Sequence, residues 1–138
     1  MVGLHLQLVN TRLTFQFYSL LLDVYVPSNA TNSSSLPVKV WLYGGSNESG
    51  GTSDPLYNGC NLATDAIVVS VNYRVGPLGW LALNSAGLKA NNGLRDQLLA
   101  LQWMQDNIAA FGGDPVSINF SSYVLNVHLP HLYILLTE

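Results

Sequence analysis

The chain has 138 residues, of which 49% are hydrophobic and only 9% are charged. A chain of this length is the size of one domain and can bury roughly 68% of its unfolded surface, so it can build a packed core. The net charge is −3 and lysine and arginine form no cluster, which argues against nucleic-acid binding because phosphate neutralisation requires a basic patch.

The chain contains one cysteine and no long apolar run, which argues against a disulfide-bonded, a metal-binding and a membrane-spanning protein. Cys60 cannot form an internal disulfide or a multi-cysteine metal site, so we interpret it as a small buried apolar side chain and expect no metal and no cofactor. No apolar run reaches the length of a transmembrane helix. The first residues lack the positive start and apolar stretch of a signal peptide, so the localisation stays open.

Three apolar runs predict strands. Residues 20–26 are apolar and partly β-branched, and Pro27 ends them. Residues 38–43 form a second run that leads directly into the glycine-rich stretch GGSNESGG. Residues 66–72 are apolar on both faces, a pattern that is typical of a buried parallel strand.

The strongest helix prediction covers residues 93–111. Asn91 or Asn92 is predicted to cap its start, and Gly112 to supply a left-handed residue at its end. A short strand over residues 116–120 follows, so strands alternate with a helix and predict an α/β fold with a parallel sheet. Apolar residues recur along the helix at spacings of three and four and form one stripe: Leu94, Leu98, Leu101, Met104, Ile108 and Phe111.

Two long stretches resemble one enzyme family. The run VKVWLYGGSNESGGTSDPLYNGCNLATDAIVVSVNYRVGPLGWLAL and the later run NNGLRDQLLALQWMQDNIAAFGGDP resemble type-B carboxylesterases and lipases, most closely the fungal members. Several separated motifs occur in the family's order, which is more specific than one short motif. The resemblance implies a partial α/β-hydrolase fold, namely the N-terminal part of a central, mostly parallel sheet with one long helix.

The resemblance divides the chain into three parts. Residues 20–120 correspond to a partial carboxylesterase domain, residues 1–19 to an unmatched N-terminal segment, and residues 121–138 to an unmatched C-terminal tail. Translated intron sequence, an alternative exon or a faulty gene model would each produce such abrupt departures. A cDNA that reproduces both ends unchanged would remove this hypothesis.

The resemblance also implies roles for charged and aromatic residues outside the reaction. Arg74 and Asp96 correspond to the family's structural ion pair, which joins the turn after the third strand to the start of the long helix. Because buried charges require partners, we expect each to pair with the other. Trp80 and Trp103 are interpreted as packing residues.

An oxyanion hole is implied for the loop after the second predicted strand. Its residues here are Gly44, Gly45 and Ser46, where many relatives have a third glycine. Fixed backbone N–H groups stabilise the negative charge that develops on a tetrahedral intermediate, and Ser46 keeps its N–H although its side chain narrows the space. Without the resemblance, an ordinary glycine-rich turn would be the simpler interpretation.

The catalytic serine is missing from the position that the resemblance predicts for it. Relatives carry it in a Gly-x-Ser-x-Gly elbow, but the corresponding position here is Val124, and no such motif occurs in the chain. Ser121 and Ser122 fall two or three positions early and lack flanking glycines. His128 and His131 lie in sequence that resembles nothing in the family, so we interpret them as incidental.

Three functions stay open. The first is a fragment of a serine hydrolase that is inactive as written; the alternatives are an esterase that uses other Ser and His residues, and a non-catalytic binding or regulatory module. The family's substrates are small-molecule carboxylic esters, and an incomplete sheet predicts aggregation or chaperone association. Weak indications of secretion, which is common among relatives, come from four glycosylation sequons at Asn29, Asn32, Asn47 and Asn119.

Overall fold

The computed structural model describes residues 20–81 and 90–122, with the backbone alone for residues 2–7 and 121–122. Within these residues one five-stranded sheet carries a long helix, a short helix and three 3-10 turns. The strands are β1 (Val2–Gln7), β2 (Leu21–Val26), β3 (Leu36–Leu42), β4 (Ile67–Val71) and β5 (Gly113–Ser122), and the helices are α1 (Gly76–Trp80) and α2 (Asn92–Asn107).

The sheet is mixed, with the strand order β1-β2-β4-β3-β5. β3 pairs in parallel with both β4 and β5, whereas β2 pairs antiparallel with β1 and β4. The predicted partial α/β fold is therefore confirmed, and each of the four predicted strands is present. β1 was not predicted, and it adds a second antiparallel pairing at one edge of the sheet.

β4 is the central strand, and all five of its residues are buried. Its sequence IVVSV is almost uniformly apolar because the strand has a neighbour on each side and is covered on both faces. Val69 illustrates the pairing, since it lies opposite Val24 of β2 and Val40 of β3. The prediction of a buried strand at this point of the sequence is confirmed.

One face of the sheet packs against α2 and forms the core. The helix contributes Ala100 and Met104, which are fully buried. Trp103 also packs against this core, and its ring lies 6.0 Å from that of Phe111, so the interpretation of Trp103 as a packing residue is confirmed. The other buried members of the cluster are Leu22, Val24, Val38, Val40, Ile67, Val69, Val71 and Ile108.

The ends of α2 differ in part from the prediction. The helix gives way at Ile108–Phe111 to a 3-10 turn, and Gly112 then takes the predicted left-handed conformation with φ of +83°. A Cβ at Gly112 would lie 2.2 Å from the carbonyl oxygen of Thr31, so only glycine fits. Asn91 occupies the N-cap position, but its side chain makes no capping hydrogen bond because its own backbone is left-handed. Of the two predicted caps, Asn91 and Asn92, it is Asn91 that takes the N-cap position, but without a side-chain hydrogen bond.

The opposite face of the sheet carries polar residues. Asp23, Ser70 and Trp41 are cross-strand neighbours on three adjacent strands. A segment with 3-10 turns at Pro55–Tyr57 and Gly59–Asn61 lies against this face, and the ring of Tyr57 is 5.5 Å from that of Trp41. In the described part of the chain, no helix has the length and apolar character that crossing a membrane requires.

Candidate functional site

The candidate site is built on residues 44–51, here called the glycine loop, which follow the carboxyl end of β3. Gly45 has a φ of +131°, and a Cβ at this residue would lie 2.0 Å from the carbonyl oxygen of Ser49. The Gly45 carbonyl accepts hydrogen bonds from the N–H groups of Glu48 at 2.9 Å and Ser49 at 3.3 Å. The loop therefore turns tightly at a position that only glycine can occupy.

Among the described residues, the N–H groups of Gly45 and Ser46 have no backbone acceptor. Both residues are exposed, and no described backbone carbonyl accepts a hydrogen bond from either group. Ser46 and Asn47 have φ values of 55° and 62°, in the left-handed region that side chains other than Asn and Asp seldom adopt. The loop thus presents two adjacent backbone N–H groups in an uncommon conformation.

Two buried tyrosines join the start of the glycine loop to the turn after β4. The rings of Tyr43 and Tyr73 stack with centroids 4.4 Å apart and planes 14° apart. The Tyr43 hydroxyl donates to the Tyr73 carbonyl at 2.5 Å, and the Tyr73 hydroxyl donates to the Tyr43 carbonyl at 2.6 Å. Burial raises the pKa of Tyr43 to about 12 and also raises the pKa of Tyr73.

The sequence analysis did not single out this pair. Both tyrosines lie in stretches that resemble the family, Tyr43 in YGG and Tyr73 in NYRVG, but neither was given a role. One signal was present, because Tyr43 ends one predicted strand, Tyr73 follows another, and the two strands run parallel. The carboxyl ends of adjacent parallel strands meet at one edge of a sheet.

An ion pair fixes the turn after β4 to the first turns of α2. Arg74 donates from Nε to Asp96 Oδ2 at 2.7 Å, from Nη2 to Oδ1 at 2.6 Å, and from its backbone N–H to Oδ2 at 3.0 Å. The Asp96 side chain is 3% exposed, and the hydrogen bond between the two side chains raises the pKa of Arg74. The structure thus brings together the two residues that the resemblance paired, in a bidentate geometry that fixes orientation.

Two glycines allow close packing around the same turn. Cβ atoms at Gly79 and Gly93 would lie 2.2 Å and 2.4 Å from the carbonyl oxygen of Arg74. Because α1 and α2 approach this oxygen so closely, glycine is required in both helices. Gly79 and Gly93 are therefore required for helix packing, and neither needs a role in the reaction to account for its presence. The predicted packing role of Trp80 fits this arrangement, because a Cβ built at Gly93 would also lie 3.2 Å from the Trp80 ring.

An open cleft of about 440 Å³ lies between the glycine loop and α1. The two walls are connected, because the N–H of Gly76 donates to the carbonyl of Asn47 at 2.6 Å. The cleft is shallow and largely open to solvent. The lining residues are Ser46, Asn47, Glu48, Gly76, Pro77, Trp80 and Leu81.

Most of the residues considered above as a catalytic nucleophile or base lie in the part of the chain that the structure does not describe. This holds for Val124, His128 and His131. The backbone of Ser121 and Ser122 belongs to β5, where these residues lie opposite Trp41 and Leu42 of β3. Residues 121 and 122 are therefore still part of a paired strand at the point where the predicted elbow region begins.

The remaining predicted site residues lie at the surface or close to it. Among the described residues, no group of three or more His, Cys, Asp or Glu side chains is arranged to hold a metal ion. Cys60 is half-buried rather than buried, because it lies in the 3-10 turn at Gly59–Asn61 on the surface of the sheet. The asparagines of all four sequons are exposed: Asn29, Asn32, Asn47 and Asn119.

Comparisons with known proteins agree with this architecture. A sequence model of the carboxylesterase family matches residues 18–123. The chain is 47% identical over 103 residues to the para-nitrobenzyl esterase of Bacillus subtilis, which covers 72% of this chain and 21% of the esterase. It is 46% identical over 108 residues to the human bile salt-activated lipase, which covers 72% of this chain and 14% of the lipase.

Solved structures give the same result. A thermophilic PNB esterase superposes with a TM-score of 0.70 at 44% identity, over 75% of this chain and 22% of the esterase chain. A second PNB esterase gives a TM-score of 0.69 at the same identity, over 75% of this chain and 23% of the other. The chain spans only 14–23% of the length of these relatives. Together with the match over residues 18–123, these likenesses establish that the chain belongs to the carboxylesterase family.

Proposed function

We propose that residues 20–120 supply the oxyanion-binding side of a carboxylic ester hydrolase site, and that the 138-residue chain by itself does not hydrolyse esters. The observation that carries the first part is the conformation of the glycine loop. Gly45 and Ser46 present neighbouring backbone N–H groups without a described backbone acceptor, at the carboxyl end of a parallel strand. Ligand sites of open α/β sheets form at this edge.

The chemistry of ester hydrolysis explains why such a loop is useful. Attack on an ester carbonyl places negative charge on the carbonyl oxygen, and fixed N–H donors stabilise that charge without reorganising during the reaction. Loss of one such donor typically lowers kcat by about 10²–10³-fold. The loop is supported from two sides, by Tyr43 at its start and by the hydrogen bond between Gly76 and Asn47, so its donors are fixed before substrate binds.

The second part of the proposal rests on the nucleophile position. Val124 stands where the family resemblance predicts the serine, and a valine side chain has no atom that can attack an ester. The surrounding residues SYVLN lack the glycines that let a nucleophile elbow turn sharply. We therefore assign no catalytic nucleophile to this chain.

The substrate class follows from the relatives. Their names specify a para-nitrobenzyl esterase and bile salt-activated lipases. For a complete protein that contains this segment, we propose small-molecule carboxylic esters as substrates. The acyl and alcohol groups are left unassigned, because the described cleft is open on one side.

Two measurements test the two parts separately. The purified 138-residue chain is expected to hydrolyse p-nitrophenyl acetate no faster than buffer and to resist labelling by a fluorophosphonate. Labelling at one serine would contradict inactivity.

A chimera tests the oxyanion role. In it, residues 20–120 replace the matching segment of the Bacillus subtilis esterase, and the rest of the esterase keeps its own nucleophile, acid and histidine. We expect the chimera to hydrolyse p-nitrophenyl acetate, and a folded chimera without activity would contradict the proposal.

A further inference from the structure

Tyr43 and Tyr73 connect the two strand ends from which the candidate site is built. We propose that this pair, here called the tyrosine bracket, holds the glycine loop in its oxyanion-binding conformation. The two tyrosines are then positioning residues, since they act through the loop and do not touch the reacting atoms. This inference rests on the proposed function, because that proposal assigns oxyanion stabilisation to the loop.

The bracket is reciprocal. Each hydroxyl donates to the backbone carbonyl of the other tyrosine, and the N–H of Tyr73 also donates to the Tyr43 hydroxyl at 3.3 Å. The rings stack between these hydrogen bonds. A shift of either strand end would therefore break bonds made by both residues, so the two ends are held in one relative position.

The bracket contacts the glycine loop at both of its ends. Tyr43 directly precedes Gly44, and a Cβ at Gly50 would lie 2.4 Å from the ring of Tyr43 and 2.8 Å from the carbonyl oxygen of Gly44. The loop thus begins next to Tyr43 in the sequence, and at Gly50 its backbone packs against the Tyr43 ring. Tyr73 holds the other wall of the cleft, because the turn it begins leads to Gly76, whose N–H bonds the loop.

Because the bracket is buried, loss of one of its hydrogen bonds is costly. Tyr43 is 2% exposed and Tyr73 is 6% exposed, so water cannot readily replace a hydroxyl that is removed. Phenylalanine at position 73 would leave the Tyr43 carbonyl without its described donor, directly before the loop. Two ordinary core tyrosines would contribute to global stability alone, whereas a bracket also controls local opening of the loop.

Hydrogen exchange of the full 138-residue chain separates these two roles. The amides of Glu48 and Gly76 report on the loop, because both donate the hydrogen bonds that close it. In Tyr73→Phe we expect their exchange to accelerate about tenfold more than that of the β4 amides, which report on global unfolding. Tyr25→Phe is the matched control, since Tyr25 lies on β2 and faces Gly59 rather than the glycine loop. Equal acceleration of loop and β4 amides would overturn the proposal.

The unsubstituted chain provides a second readout that does not depend on a variant folding. If one opening event exposes both bracket and loop, the amides of Tyr73 and Glu48 share one opening free energy and exchange with similar protection. A Glu48 amide that exchanges more than about tenfold faster than that of Tyr73, or that shows no protection at all, would contradict the bracket.

The chimera described above connects the bracket to the reaction. There Tyr73→Phe is expected to lower kcat about tenfold or more while KM changes less than about twofold, because a displaced donor weakens the transition state more than substrate binding. If exchange supports the bracket and the unsubstituted chimera is inactive, the proposed function fails while the structural link between bracket and loop stands. If the chimera is active and Tyr73→Phe leaves kcat unchanged, the positioning role fails.

Discussion

Gly45→Ala tests whether the glycine loop needs its present conformation. A Cβ there would lie 2.0 Å from the carbonyl oxygen of Ser49, so the loop must move by about 1 Å or more to reach an ordinary contact. The φ of +131° adds backbone strain of about 1–3 kcal/mol. The turn that closes on the Gly45 carbonyl contributes a further ~1 kcal/mol per hydrogen bond that is lost.

Such a displacement is expected to slow catalysis even in the molecules that stay folded. A misplacement of about 1 Å costs on the order of 10²-fold in rate, and loss of one oxyanion donor costs about 10²–10³-fold in kcat. We therefore expect Gly45→Ala in the chimera to lower kcat for p-nitrophenyl acetate by about 10²-fold or more. The assay follows release of p-nitrophenolate at saturating substrate, with thermal unfolding measured on the same samples.

Gly51→Ala is the matched control in the same loop. Its Cβ would have no contact closer than 3.7 Å, and Gly51 is not among the described residues with positive φ, so the added methyl group fits. We expect its kcat to stay within about threefold of the parent chimera. A kcat of Gly45→Ala within the same limit, or an equal loss of activity in both variants, would show that the loop does not depend on glycine at position 45.

Four further predictions concern the scaffold. Asp96→Asn removes the buried partner of an ion pair and leaves Arg74, whose side chain is 36% exposed, so it is expected to lower the free energy of unfolding by about 1.5–3 kcal/mol in urea titrations. Asp65→Asn, in an exposed ion pair, should cost less than about 1 kcal/mol. The reverse ranking would be inconsistent with the structure. The raised pKa of Tyr43 means that the unfolded chain loses the proton first, so stability should fall between about pH 10 and 12. Tyr43→Phe should flatten this slope in thermal melts, and an unchanged slope would assign it to other groups. Ser70→Ala should leave stability unchanged or raise it by up to ~1 kcal/mol, because the buried Oγ has no described partner; a loss above that value would reveal one. Deletion of residues 1–9 removes β1 and uncovers the edge of β2, so sedimentation should detect larger oligomers than the full chain forms, and an unchanged distribution would speak against a protective role for β1.

The sequence predicted the central part of the fold because local and global preferences agree there. β4 is apolar throughout and is buried on both faces, so its pattern and its position lead to the same conclusion. The predicted stripe on α2 reaches the core only in part. Met104 and Ile108 are fully buried, whereas Leu94 and Leu98 are half-buried and lie outside the core cluster. Ala100, which is fully buried, was not part of the predicted stripe.

The borders of the elements were less predictable. β5 begins at Gly113 rather than at residue 116, although Pro115 indicates a turn. The strand lies at the edge of the described sheet, where a proline can be tolerated because one side of the strand makes no ladder hydrogen bonds. β1 went unpredicted although Leu4 and Leu6 alternate with polar residues, the period expected for a strand.

The candidate site was predictable only where it depends on backbone chemistry. Gly45 marks the loop directly, since its φ of +131° requires glycine. The stacking of Tyr43 on Tyr73 depends on which strands become neighbours, so residues 30 positions apart gave no local pattern. Pairing of strands has to be known before such a contact can be inferred.

The decisive measurement is the rate of p-nitrophenyl acetate hydrolysis by the chimera. We expect saturable turnover by the chimera under conditions in which the 138-residue chain gives no rate above buffer, because we propose that residues 20–120 contribute the oxyanion donors while the esterase contributes the nucleophile. A chimera that folds cooperatively and reacts with a fluorophosphonate, yet gives no turnover, would contradict the claim that the glycine loop stabilises the oxyanion.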